Sequence, residues 1–112
     1  MLEVLFQNQK RDLLKEKGVF LILDEIITAF REVYGSNISS RKSNPDIVIF
    51  GKAIAGGYPT GLVVVEESIS LKAKKKNIFW GGTFSGNPWQ IKLIESQLDK
   101  LSKINYLSLI HI

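Results

Sequence analysis

The dominant pattern along the chain is three uninterrupted apolar runs, each halted by charged or glycine positions. Val19-Phe20-Leu21-Ile22-Leu23 stops at Asp24-Glu25, Ile47-Val48-Ile49-Phe50 stops at Gly51-Lys52, and Leu62-Val63-Val64-Val65 stops at Glu66-Glu67. Short apolar runs without polar alternation mark strands covered on both faces, as in a parallel sheet sandwiched by helices. Between the second and third runs lies AIAGGYPTG, whose glycines and proline force a tight turn. Helical patterns fill much of the remainder. Residues 2–17 predict a helix with Leu2, Leu5, Phe6, Leu13 and Leu14 as apolar contacts and Gly18 as its stop. Residues 66–76 predict a short, lysine-rich helix. Asn87-Pro88 offers a cap and a first-turn proline for a helix over 88–104, whose Ile91, Ile94, Leu98 and Leu101 recur at three- and four-residue steps. Strands interleaved with helices define an α/β chain.

Composition narrows the function. The 112 residues, 45% hydrophobic, suit one small globular domain at most. Without cysteine there is neither a disulfide framework nor a thiolate metal site, and the single histidine, His111, leaves little scope for imidazole chemistry. The apolar runs are far shorter than the ~20 residues that cross a bilayer, and the first 17 positions lack the pattern of a secretory signal. A cytoplasmic protein without a membrane partner is expected. The net charge of +4 raises the question of nucleic acid. Its one basic cluster, Lys72 with Lys74, Lys75 and Lys76, has no interleaved aromatic residues and reads as a solvated helix end, so no nucleic-acid partner is expected. Three strands of this kind need covering elements that the chain does not contain, which predicts a fragment of a larger domain.

Candidate chemistry sits at the strand ends, where open α/β sheets bind ligands. Asp24, Lys52 and Glu66 are expected to converge on one such edge. A lysine following a buried strand suits Schiff-base chemistry, and a nearby acid suits a protonated ring nitrogen; pyridoxal phosphate (PLP) requires both. The same residues also read as a surface lysine and a helix-starting Asp-Glu pair, and spacing alone leaves both readings open. A nucleotide-binding P-loop is excluded: Asp46 stands where its first glycine belongs, and Ala53 follows the lysine in place of Ser or Thr.

Three ordered segments carry a family resemblance. LILDEIITAFR (21–31), PDIVIFGKAIAGGYPTG (45–61) and GGTFSGNP (81–88) resemble consecutive signatures of class III PLP-dependent aminotransferases, with Asp24 standing 28 residues before Lys52. Within that family they look most like glutamate-1-semialdehyde aminomutases. The resemblance implies part of the large domain of a fold type I transferase, a three-layer α/β/α architecture with a mostly parallel sheet. Residues 1–106 are then a partial PLP-binding large domain, and 107–112 a tail of uncertain origin. It further implies that Lys52 forms the Schiff base with pyridoxal 5'-phosphate and shuttles the substrate proton. Asp24 pairs with the pyridinium nitrogen, and Ile26 packs on one ring face. Thr83 hydrogen-bonds the cofactor phosphate from the neighbouring subunit of a homodimer, with Gly81 and Gly82 permitting close approach. The partners implied are a small-molecule amino donor and a carbonyl acceptor. Arg31 reads as structural, and Glu25, Tyr58 and Trp89 default to packing.

The chain also departs from the family pattern. Ala29 replaces the glycine usual before Phe-Arg, and Gly56-Gly57-Tyr58 differs from the usual GGGLP. The family's upstream serine/glycine phosphate loop, its ring-stacking aromatic and its substrate-carboxylate arginine have no counterpart in the sequence. The isolated chain is therefore expected to be inactive. The alternative is a truncated, noncatalytic module that binds a partner through exposed strand edges.

Overall fold

A computed structural model describes residues 11–37, 43–79 and 81–105. The predicted contacts Leu2, Leu5 and Phe6, the residue His111 and the tail 107–112 lie outside these. Residues 11–16 are helical (α1). Strands β1 (Ile22–Asp24), β2 (Ile47–Phe50) and β3 (Leu62–Val65) follow, then helices α2 (Glu67–Lys75) and α3 (Pro88–Ser102). All three apolar runs contain strands, and the predicted second and third helices are present.

The strands form one sheet in the order β1-β2-β3. β1 and β2 run parallel, with Asp24 opposite Ile49. β3 runs antiparallel to β2, pairing Phe50 with Leu62 and Ile47 with Val65. The link over residues 51–61 explains the reversal, because a parallel crossover takes about a dozen residues or more and usually a helix. This corrects the placement of Glu66. Its backbone N–H donates to the Asp46 carbonyl at 2.9 Å, at the start of β2 and the opposite end of the sheet from Lys52.

Strand alternation sorts the faces. Phe50 and Leu62 face α3, joining Ile54, Ala55, Phe30 and Leu101 in the core with Leu93, Ile94 and Leu98 packed alongside. Val63 and Val65 point the other way and share a groove with Ser70 and Lys74 of α2, so a helix flanks each face. Coverage is nevertheless incomplete: Ile22, Val63 and Val64 remain about half exposed, so the apolar runs are not buried on both faces within these residues. Ile91 and Leu13, expected as contacts, are also about half exposed. Ile91 lies in the first turn of α3, whereas Leu93, two residues on and absent from the predicted stripe, packs against the core.

Two polar devices fix the ends of the elements. The Asn87 side chain accepts a hydrogen bond from the Trp89 N–H at 2.9 Å, with Pro88 in the first turn of α3. At the opposite sheet end, Asp46 accepts from Arg11 Nη2 at 2.6 Å and from the Leu21 N–H at 2.7 Å. This buried carboxylate ties α1 and the residue before β1 to the start of β2. Burial pushes its pKa up, but the Leu21 N–H and the Arg11 guanidinium, with help from Lys15, outweigh this and hold it below 3.8. Sequence reading assigned Asp46 no structural role, since an acid beside a proline before a strand looks like an ordinary turn residue.

Candidate active site at the carboxyl ends of β1 and β2

β1 and β2 are parallel and in register, so their carboxyl ends bring Asp24 and Lys52 to the same edge of the sheet. The Glu25 N–H donates to the Ile49 carbonyl at 2.9 Å, extending the ladder one residue past Asp24. Asp24 Oδ1 accepts from the Ile26 N–H at 3.0 Å, which sets the carboxylate over its own turn. Alternation puts Asp24 on the face of Ile49, whereas Glu25 lies on the covered face and is 1% exposed; Ile26 begins the turn that follows.

Lys52 opens a single 3-10 turn, Lys52–Ala55, closed by Gly56 in the left-handed conformation (φ +59°). Lys52 itself has φ +44°. A non-glycine residue in that region carries backbone strain of about 1 kcal/mol or more and persists only where its surroundings impose it. Here the buried side chains of Ile54 and Ala55 anchor the turn in the core and leave Lys52 exposed. Among the described residues, Lys52 makes neither an ion pair nor a side-chain hydrogen bond, so its amine is available for chemistry.

A groove of about 660 Å³ runs beside this turn, lined by Ile26, Ile49, Lys52, Tyr58, Gln97 and the glycine-rich link. Ile26 and Lys52 therefore share one groove. Asp24 does not line it, though its register partner Ile49 does. The backbone at Gly51 is pressed against Ile26: a Cβ there would stand 3.1 Å from Ile26 Cγ2. Thr83 lies elsewhere, in the turn over residues 83–86, lining a second groove with Gly81, Gly82 and Gln90. The two grooves have only Thr60 and Gly61 in common, so within one chain Thr83 is not gathered with Lys52. Arg31 donates from Nε to the Ile27 carbonyl at 2.5 Å, a local contact in keeping with a structural role. The Ala29 departure is accommodated simply: the left-handed residue of this turn is Phe30 (φ +62°), not Ala29. Tyr58 and Gln97 have no reading in the sequence as groove residues; an isolated Tyr after two glycines and a Gln within a helix give no signal of their own.

These residues suit PLP. A free lysine amine, a carboxylate with one oxygen left over and an apolar side chain beside the lysine are the groups that the cofactor's aldehyde, ring nitrogen and ring face call for. The fold is thus an α/β segment whose parallel strand pair presents a lysine and an acid at one carboxyl edge. The comparisons with known proteins identify the family. Residues 2–110 match the family model described as Aminotransferase class-III, and the chain belongs to the class III aminotransferases. It is 37% identical over 97 residues to glutamate-1-semialdehyde 2,1-aminomutase of Thermoplasma volcanium, covering 86% of this chain and 23% of the relative. The enzyme of that name from Chlamydia trachomatis is 40% identical over 75 residues, covering 66% and 18%. Among solved structures, an omega-transaminase from Sphaerobacter thermophilus superposes with a TM-score of 0.72 at 29% identity, covering 88% of this chain and 23% of its own. An (S)-enantioselective omega-transaminase from Thermomicrobium roseum gives 0.67 at 34% identity, covering 81% and 21%. The chain thus spans about a quarter of the length of the relatives it matches.

Proposed function

We propose that these residues serve PLP-dependent amino-group transfer, as a transaminase or aminomutase of the glutamate-1-semialdehyde aminomutase type, with Lys52 as the cofactor lysine. The observation that carries the reading is Lys52, held in a left-handed backbone at the end of β2 and sharing a groove with Ile26 beside the Asp24 strand end. The bound cofactor supplies an electron sink for chemistry at the substrate carbon bearing the amino group. Lys52 Nζ would hold the cofactor covalently, and its amine, where free, would move a proton at that carbon. The Asp24 carboxylate holds the proton on the ring nitrogen, and Ile26 supports the ring face. Thr83, remote from Lys52 within one chain, acts on the cofactor phosphate of a second copy, which makes the working unit a homodimer. Small-molecule amino donors and carbonyl acceptors are the substrates, and the setting is cytoplasmic.

The test is PLP incorporation after borohydride reduction. Lys52→Ala should abolish stable incorporation. Asp24→Asn should retain it while slowing turnover of the complete enzyme, because a neutral partner no longer favours the protonated ring nitrogen. Undiminished incorporation in Lys52→Ala would remove Lys52 from the site.

A second reading rests on the half-exposed Ile22, Val63 and Val64: a noncatalytic module that docks a partner on its sheet. A folded, monomeric chain that takes up no PLP would favour it.

A further inference from the structure

We propose that Glu25 is the positioning residue of the ring platform, its buried carboxylate locking the turn that aims Asp24 and Ile26 at the cofactor. This deepens the PLP reading above and rests on it. Glu25 is 1% exposed and, with Ile54, one of the two largest fully buried side chains. One oxygen, Oε2, accepts a hydrogen bond from Thr28 Oγ1. The other, Oε1, is buried and has no hydrogen-bond partner among the described residues. A carboxylate so placed lowers stability, since a buried acceptor without a donor forfeits its hydration. Packing alone would be served better by an apolar side chain. Residues retained at a cost in stability concentrate where function needs them.

The surroundings indicate what the carboxylate fixes. Backbone bonds hold Glu25 on both sides: its N–H donates to Ile49, and its carbonyl accepts from the Ala29 N–H at 3.1 Å. The Thr28 bond closes the same turn through side chains. Asp24 and Ile26 flank Glu25 in the chain and are joined by the Ile26 N–H bond to the Asp24 carboxylate, so this lock bears on both. Ile26 is pressed against Gly51, the residue before Lys52, so a loosened turn would shift Asp24 and Ile26 relative to Lys52, which opens the 3-10 turn after β2.

The experiment measures PLP affinity and thermal stability together in the purified protein for Glu25→Gln, Thr28→Val and Thr28→Ser. Glu25→Gln keeps the shape and replaces one carboxyl oxygen by an amide nitrogen that cannot accept. The expected result is an unchanged or raised Tm with PLP affinity weakened by about tenfold, the scale of one lost hydrogen bond. Thr28→Val should weaken affinity similarly, and Thr28→Ser, which restores the hydroxyl, should return it to within about twofold. If affinity stays unchanged in Glu25→Gln and Thr28→Val, or falls only in step with Tm, the inference is overturned. Should Glu25→Gln fail to fold, the Thr28 pair decides alone. If the unsubstituted protein takes up no PLP at Lys52, the underlying reading fails, and this one with it.

Discussion

Replacing Gly51 by alanine tests the contact that joins the lysine strand to the ring platform. The added Cβ would lie 3.1 Å from Ile26 Cγ2 and 3.5 Å from Cγ1, so Ile26 must retreat by a few tenths of an ångström. The Gly51 backbone is extended (φ −158°, ψ −160°) and accepts any side chain without strain. Two effects then oppose each other. Overpacking costs ~1–3 kcal/mol in a tight core, and Ile26 is only partly buried, which favours the low end. Reduced freedom of the unfolded chain returns ~0.4–1 kcal/mol. Gly51→Ala alone should accordingly change stability by under ~1 kcal/mol, too little to interpret by itself. A double-mutant cycle separates the terms. With Ile26→Ala in place the clash vanishes, and Gly51→Ala should stabilise by roughly 0.5–1 kcal/mol. The coupling energy from urea unfolding should then be about 1 kcal/mol. Additivity within about 0.3 kcal/mol would show that Gly51 and Ile26 do not press on one another, and would refute the argument.

Three further outcomes follow. Arg11→Ala leaves Asp46 buried without its cation and should cost about 3 kcal/mol in urea unfolding, because a broken buried pair strands its partner charge. Because Asp46 has a lowered folded pKa, its contribution is full above 3.8 and is lost as pH falls through 3.8 towards the folded value; Asp46→Asn should flatten the acid limb of the Tm–pH profile, and an unchanged limb would remove Asp46 as its cause. Asn87→Ala should cost ~1 kcal/mol by stripping the cap of α3, whereas Asn87→Ser, read by the same unfolding assay, should recover most of it.

The sequence told most where one physical signal had one meaning. Each apolar run became a strand because four or five consecutive apolar residues suit a sheet, and the flanking glycines and acids were too close for a helix. Asn87-Pro88 marked the start of α3 because cap and fixed φ are properties of those residues alone. Direction was harder to read. Apolar runs carry no polarity, so β3 looked parallel and Glu66 was drawn to the lysine edge, although the shortness of the 51–61 link already argued for reversal. Glu25, read as packing, and Asp46, read only as a residue no P-loop would have, gave no sign of their hydrogen bonds for a related reason. An acid beside a strand is indistinguishable from a turn residue until its burial is known, as for Glu25 at 1% exposure. Asp24 and Lys52 were legible only through the ordered motifs around them; the structure adds their common sheet edge, and it sets Thr83 apart in a groove of its own.

The most direct test of the account maps the site of attachment. The protein is incubated with PLP, reduced with borohydride and digested, and the labelled peptide is sequenced. One dominant label, on Lys52, is expected despite the exposed lysines of α2. A label on another lysine, or one spread evenly over Lys72, Lys74, Lys75 and Lys76, would contradict it.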